Sequence, residues 1–389
     1  MEVHADGEIE DNAALLQGER DVQSAAAPGG VRSTGPHSEG VESLGSKARH
    51  NHKLLVSICM PAYNVERFLH AALASVLAQT YQNIEVILAD DASTDRTAEV
   101  ARSFADERLR YIRNEARLGG FQTMNKGIGL ARGDLMAVYH SDDIYEPTIV
   151  EKEVAYLHAH PKVGAVFCMD HYIDEEGRIF GGTSLPQEFQ GRDWLEYSDV
   201  FPILLRHRNT LFRCPTFMTR PEVLAAVGPF DSGTYDIAAD LDLWIRIVRR
   251  YPVGILNDRL MRYRVGRSQW SSRYNFLRTE PELCFRILDH YLEKDSWAGQ
   301  LSNYDLKEYA FQRADDETFC AVNWVIRGDA RRARELLDRP YPWSCLLNNL
   351  RRRKVRVLLM RFLICAGLAV GALRPLGQFL RRMEYRDHR

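Results

Sequence analysis

From Leu54 onward the chain alternates short apolar runs with amphipathic stretches. Leu54–Met60 predicts a buried strand and Val65–Ala78 a helix. Ile84–Ala89 predicts a second strand, followed by a helix from about Asp95 to Ala105. The pair repeats in Leu109–Arg113 and Phe121–Arg132, and Leu135–Tyr139 makes a fourth strand. Continuous apolar runs separated by helical patterns predict βαβ units and a mainly parallel, Rossmann-like sheet between helices. Ligands of such sheets sit beyond the carboxyl ends of the strands, so polar residues there carry the most weight.

After Pro147 the pattern predicts a helix to about His158 and a strand at Val163–Met169. Asp174–Gly182 is acidic and glycine-containing and predicts a turn, while Pro186–Arg213 is aromatic and irregular, as cleft-lining segments often are. A strand at Thr216–Thr219, helices at Pro221–Val227 and Asp240–Arg250, and a strand at Val253–Leu256 complete this part. Beyond about Phe276 the pattern is helical. The predicted organisation is a disordered tail over 1–52, a catalytic domain over 53–275 and a helical region over 276–389. The first segment is rich in Gly, Ala, Ser, Glu and Asp and lacks the apolar surface needed to offset its ordering entropy.

Composition narrows the class. The formal net charge of −2 gives the whole chain no electrostatic case for nucleic acid as a partner. Seven cysteines without CxxC spacing argue against a disulfide framework and a structural zinc site. No apolar signal core stands at the N-terminus, so the expected place is the cytoplasm or the cytosolic face of a membrane.

Three acidic clusters are candidates for chemistry. Asp90-Asp91-Ala92-Ser93-Thr94-Asp95 follows the second strand. Helix capping explains Ser93 or Thr94 together with Asp95, but not the two carboxylates ahead of them, so capping and ligand binding both stand. His140-Ser141-Asp142-Asp143 follows the fourth strand. Adjacent carboxylates repel unless a cation or donors intervene, and such hard oxygens suit Mg²⁺ or Mn²⁺ shared with substrate phosphates. A solvated turn is the alternative. Asp240 opens a helix whose buried face is Leu241, Trp244, Ile245 and Val248, and periodicity alone favours a helix N-cap for it.

Taken together and in order, these segments resemble family-2 glycosyltransferases, which have the α/β GT-A fold. Val56-Ser57-Ile58-Cys59-Met60-Pro61-Ala62-Tyr63-Asn64 is similar to the opening strand and nucleotide loop of that family. Ser75–Tyr81, Asp90–Asp95, Gly133-Asp134 and His140–Asp143 follow at the family's spacing, and the resemblance covers about 54–270. It implies nucleotide-sugar contacts from Pro61, Ala62, Tyr63, Asn64, Asp91, Ser93, Asn125, Lys126 and Asp142. Tyr63 would lie against the base and Asp91 would accept from it. Asp143, with Asp142, would hold a Mg²⁺ or Mn²⁺ ion bridging the diphosphate, and Asp240 would be the general base of an inverting transfer. The donor would be linked to UDP by default, with GDP and dTDP open, and the acceptor would be a glycan or a lipid-linked hydroxyl.

Two departures qualify the resemblance. Ala239 stands where the family usually has Glu, and His140 where many members have a first Asp. Ala239 favours a second reading, a catalytically silent nucleotide-sugar-binding or scaffold protein. Gln269-Trp270 is adjacent rather than spaced as QxxRW, which speaks against a processive synthase. Tyr263-Arg264 and Arg267–Ser271 resemble the family's closing loop, with basic surface as the alternative. A nucleotidyltransferase would normally carry a glycine-rich loop where Pro61-Ala62-Tyr63-Asn64 stands.

At the C-terminus, Arg351-Arg352-Arg353-Lys354 precedes the apolar run Phe362–Leu373. As a helix that run spans about 18 Å, short of a bilayer core of about 30 Å. With Arg361, Arg374, Arg381 and Arg382 beside it, the expectation is an interfacial helix on an anionic membrane surface, and packing on the catalytic domain is the alternative. Ala330–Leu337 resembles half of a helical hairpin and is expected to be a packing appendage.

Overall fold

A computed structural model describes residues 53–266, 278–294, 300–338 and 355–369, with Pro375 and Gln378 besides. The expected tail over 1–52, the loop Arg267–Ser271 and the cluster Arg351–Lys354 lie outside the described residues. The apolar runs form strands β1 (Val56–Ala62), β2 (Ile84–Asp90), β3 (Leu109–Arg113) and β4 (Leu135–Val138). Helices α1 (Leu69–Leu77), α2 (Thr97–Arg102) and α3 (Gly120–Gly129) connect them. Pairing is parallel in the order β3-β2-β1-β4, with a helix crossing over between successive strands. Every residue of β2 and β4 is buried, the mark of strands covered on both faces.

Beyond β4 come β5 (Ile144–Tyr145), α4 (Ile149–Ala159), β6 (Ala165–Ile173), β7 (Ile179–Gly182), α5 (Tyr197–His207), β8 (Phe217–Thr219), α6 (Pro221–Val227), α7 (Ser232–Tyr235), α8 (Ala239–Val248) and β9 (Val253–Arg264). The sheet continues as β4-β8-β6-β9-β5, with β7 paired to β6. Here it is mixed: β8 is antiparallel to both β4 and β6, and β9 is parallel to β6 but antiparallel to β5. Gly133 turns the chain into β4, where a Cβ would lie 2.6 Å from the Leu135 carbonyl and from the Ser57 nitrogen. Its neighbour Asp134 accepts from the Leu55 N–H at 3.0 Å, so Gly133-Asp134 acts structurally by hooking β1 to β4.

The structure corrects several expectations. The stretch Pro186–Arg213 is not irregular throughout, because it contains α5. A reciprocal Glu196–Asp199 capping box starts that helix, and Pro202 removes one helical bond without ending it. Only the first part of Asp174–Gly182 is a turn; the rest is β7, folded back on β6. The last strand runs to Arg264 rather than Leu256. Its exposed Asn257-Asp258-Arg259 stretch interrupts the apolar pattern, and a bulge opposite Cys168–Asp170 carries the pairing past it.

The C-terminal helices are α9 (Leu283–Lys294), α10 (Asn303–Arg327), α11 (Ala330–Leu337) and α12 (Val355–Ala369). Phe285, Ile287, Leu288 and Tyr291 of α9 and Tyr309 of α10 share one core with Trp244 of α8. The Tyr291 hydroxyl also donates to Asp242 at 2.9 Å. Helices α11 and α12 close a second, smaller core on α10 through Ala333 and Ile364.

Candidate active site

Three loops at the carboxyl ends of β1, β2 and β4 meet at one edge of the sheet. The loop after β1 is zipped to the loop after β2. Asn64 N–H donates to Ser93 Oγ at 3.0 Å, and Thr94 N–H donates to Asn64 Oδ1 at 2.8 Å. Asn64 (φ 50°) and Ala92 (φ 59°) both take left-handed backbone, which costs a residue with a Cβ about 1 kcal/mol or more. Helix α2 is capped neither by Ser93 nor by Thr94. Asp95 Oδ1 takes the Thr97 N–H at 3.0 Å, leaving the Ser93 hydroxyl to the Asn64 amide.

Asp91 is buried and heavily hydrogen-bonded. It accepts from the N–H groups of Leu118 (2.7 Å) and Gly119 (2.9 Å), from Asn114 Nδ2 (3.0 Å) and from Thr123 Oγ1 (2.8 Å). Burial alone would raise its pKa, but these donors hold it below the usual carboxylate range. Lys126 Nζ donates to Asn114 Oδ1 at 2.8 Å and so belongs to the same network. Asn125 exchanges two bonds with the main chain of Phe230, at 2.8 and 3.1 Å, and so holds that segment against α3. The Tyr63 ring has the Arg117 guanidinium 4.1 Å from its centroid, and Pro61 O accepts from Ser141 Oγ at 2.8 Å, tying the β1 loop to the β4 loop. Ala62, the last residue of β1, takes the Asp91 N–H on its carbonyl at 2.8 Å.

In the loop after β4, ligand atoms of His140, Asp142 and Asp143 lie within 4.8 Å of one another. Asp143 is buried; its Oδ1 accepts from the Arg264 N–H at 2.8 Å, and its Oδ2 has no hydrogen-bond partner and lies 3.8 Å from His140 Nδ1. Burial, then the neighbouring Asp142 charge, pushes the Asp143 pKa well above its ordinary value. Burial also lowers the His140 pKa against the pull of Asp142, keeping the imidazole neutral and free to ligate. An orphaned buried carboxylate oxygen, a second carboxylate and a neutral imidazole fit a Mg²⁺ or Mn²⁺ ion.

Asp240 is not the N-cap of its helix. That position is Ala238, and Asp240 lies in the first turn of α8. It is half-buried, accepting from the Leu241 N–H at 2.7 Å and from Asn209 Nδ2 at 3.0 Å. Burial raises its pKa to about 6 against the Leu241 and Asp240 N–H groups, Asn209 and the Arg213 charge. Cys214 is buried, and burial, then the Asp240 and Asp143 charges, push its thiol pKa well up.

A sequence model described as glycosyl transferase family 2 matches residues 57–227, the segment carrying these loops. A Haemophilus influenzae protein named as an uncharacterized glycosyltransferase is 29% identical over 236 residues, 58% of this chain and 70% of its own. The domain belongs to glycosyl transferase family 2. The protein is therefore an enzyme, a glycosyltransferase of the α/β GT-A type with helices appended at its C-terminus. The Escherichia coli UDP-Glc:alpha-D-GlcNAc-diphosphoundecaprenol beta-1,3-glucosyltransferase WfgD is 28% identical over 220 residues, 56% of this chain and 80% of that protein. Among solved structures, the mannosyltransferase PcManGT from Pyrobaculum calidifontis, in complex with GDP-Man and Mn²⁺, is similar at a TM-score of 0.46 and 16% identity. That likeness covers 94% of this chain and 96% of that one.

Several residues in this glycosyltransferase site escaped sequence reasoning. Arg264 ties the β4 loop down: besides its N–H to Asp143, its Nε donates to the Asp142 carbonyl and its Nη1 to the Asp174 carbonyl, each at 2.8 Å. Arg213 Nε donates to buried Asp170 at 3.1 Å and its Nη2 to the Tyr172 hydroxyl at 2.7 Å. Burial works against its charge, but Asp170, Tyr172 and Tyr263 together more than offset that and keep it cationic. Asn209 stands against Asp240. None of these carries a local motif.

Proposed function

We propose that the protein moves a sugar from a nucleoside-diphosphate sugar, UDP-linked by default, to a hydroxyl of a glycan or lipid-linked acceptor, with inversion. The observation that carries this reading is the His140, Asp142 and Asp143 cluster in a family 2 domain, with the buried Asp143 Oδ2 lacking a hydrogen-bond partner. The same domain holds at Asp240 a carboxyl whose pKa burial raises to about 6. In this reading the loops over Pro61–Asn64 and Asp91–Ser93 cradle the nucleotide, with Tyr63 against the base, and Lys126 adds charge nearby. The catalytic part is 53–275 and the helical region 276–389. WfgD, named for a UDP-Glc donor and a diphosphoundecaprenol acceptor, supports the donor and acceptor classes.

Asp240 takes the proton of the acceptor hydroxyl as that oxygen bonds to the anomeric carbon, and the bond from that carbon to the diphosphate oxygen breaks on the opposite side. One displacement inverts the centre. A divalent ion held by His140, Asp142 and Asp143 supplies Lewis-acid neutralisation of the departing diphosphate when bound. The missing Glu at Ala239 leaves the presumed base itself in place.

The reading is tested by incubating the full-length protein with UDP-Glc, UDP-GlcNAc, GDP-Man and dTDP-Glc and measuring nucleotide release against pH. Asp240 acts ionised, so release falls as pH drops through about 6. A donor that is turned over with no decline below that pH would remove Asp240 from the role. Consumption of no donor at all favours the silent, scaffold reading.

Helix α12 is read as resting on an anionic, cytosolic membrane face. Leu359 and Phe362, one turn apart, are 54% and 68% exposed, and among the described residues no helix is long and apolar enough to cross a membrane. Co-sedimentation with phosphatidylglycerol vesicles should be strong, weaker with neutral phosphatidylcholine, and lost in Phe362→Asp. Equal recovery of wild type and variant would remove the helix from this role.

A further inference from the structure

Among the described residues, four other than glycine have positive φ: Asn64, Ala92, Arg208 and Asp236. The first two shape the nucleotide loops, and Asp236 lies about one turn ahead of Asp240. Arg208 ends α5 at φ 56° and ψ −146°, a region that glycine occupies readily and other residues seldom do. Strain of this kind persists only where the surroundings enforce it. At Arg208 the enforcing contact comes from far along the chain: its Nη1 meets Glu282 Oε2 at 2.9 Å.

Glu282 is itself anchored. Its N–H donates to Asp316 Oδ2 at 3.0 Å, and the Cys284 thiol donates to its Oε2 at 3.2 Å. Asp316, on α10, also takes Arg278 in a buried pair, with Nη1 at 3.2 Å from Oδ2. Both partners of the Arg208–Glu282 pair favour their charged forms despite burial. Arg208 is raised chiefly by Glu282, and Glu282 is lowered chiefly by Arg208 and then Arg278.

The residue after the strained turn is Asn209, whose Nδ2 reaches Asp240 Oδ2 at 3.0 Å. Only the nitrogen end of an amide has protons to give a carboxylate, which fixes its orientation. Its Oδ1 is buried without a partner. An unbroken line of contacts thus runs from α10 through Asp316, Glu282, Arg208 and Asn209 to Asp240. We infer that Glu282, Arg208 and Asn209 are positioning residues: the ion pair holds the strained turn that presents Asn209 to Asp240, and the helices after 276 thereby serve catalysis. This rests on the reading of Asp240 as the base.

The test follows the Asp240 carboxyl by carbon-13 NMR in the full-length protein labelled at aspartate side chains, the signal being assigned by its loss in Asp240→Asn. Among the described residues, the charge of Arg213 acts on Asp240, and Asp240 in turn acts on the titratable Cys214. Neither Arg213 nor Cys214 is altered by the variants used. In wild type the carboxyl should titrate at about 6. Asn209→Ala removes a donor to the charged form and moves the midpoint up. Glu282→Gln and Arg208→Gln should move it the same way, and Asn209→Ala combined with Glu282→Gln should move it no further than Asn209→Ala alone. Glycine takes this backbone without the ion pair, so Arg208→Gly should keep the wild-type midpoint, and adding Glu282→Gln to it should cause no shift. Midpoints unmoved in Glu282→Gln and Arg208→Gln, or shifted in Arg208→Gly as far as in Asn209→Ala, would overturn the inference and leave the base assignment standing. An ordinary carboxylate midpoint in wild type, or transfer retained in Asp240→Asn, would overturn the base assignment and this inference with it.

Discussion

Asp240→Asn should cut transfer by about 10²–10⁴-fold while nucleotide affinity and the KM for donor stay near their wild-type values. The amide is nearly isosteric and can still accept the Leu241 N–H that now bonds Oδ1 at 2.7 Å, and the Asn209 amide, by turning over, can accept from the new Nδ2 where it now donates to Oδ2, so local geometry survives. What it lacks is a site for the acceptor proton. Without a base, the attacking hydroxyl carries its proton into the transition state, and the penalty falls on kcat. Donor binding is spared because Asp240 stands on α8, apart from the loops after β1, β2 and β4. Steady-state release of nucleotide, measured alongside binding, separates the two quantities. A parallel loss of affinity and rate would instead make Asp240 a donor ligand.

Metal-free protein should lose stability as pH rises, and Asp143→Asn should abolish that loss. Burial, then the adjacent Asp142 and more distant Asp170, raises the folded-state pKa of Asp143 despite the Arg264 N–H. A carboxyl raised on folding favours the fold while protonated. Its contribution is whole below the unfolded pKa, near 3.8, and disappears as pH climbs through the higher folded value. Above that point an ionised Oδ2 without a hydrogen-bond partner costs more than the about 1–3 kcal/mol of a neutral unpaired group, whereas the amide carries only that neutral cost at every pH. Mn²⁺ reverses the deficit in wild type, stabilising it by about 2.7 kcal/mol at roughly a hundredfold excess over its Kd. The variant, short of one ligand, should gain much less. Denaturant unfolding across pH, with and without Mn²⁺, measures both effects; a wild-type stability indifferent to pH and Mn²⁺ would remove the ion from this loop.

Much of this architecture is legible in the residues because β1, β2 and β4 are buried along almost their whole length and are mainly apolar, whereas β3 is half exposed. The acidic loops after β2 and β4 therefore stand out with Asp91, Asp142 and Asp143, while Asp240 shows as an acid opening an apolar helical pattern. The second half of the sheet was harder to see. Strand β9 passes through the exposed Asn257-Asp258-Arg259, where a bulge keeps pairing while the apolar pattern breaks. Helix α5 hides behind Pro202, and only the Glu196–Asp199 box ahead of it signals a start. Arg264, Arg213 and Asn209 act across long stretches of chain, on Asp143, Asp170 and Asp240, and spacing along a sequence cannot report such meetings. Asn125 likewise meets the Phe230 main chain through its amide.

The central claim is that Asp142 and Asp143 join a divalent ion to a nucleoside diphosphate at this sheet edge. Calorimetric titration of UDP, GDP and dTDP into full-length protein, with Mn²⁺ and with EDTA, tests it most directly in wild type and Asp143→Ala. The expected result is binding of one nucleotide in Mn²⁺ that disappears in EDTA and in the variant. Binding of none of the three, or binding indifferent to EDTA and to Asp143→Ala, would contradict it.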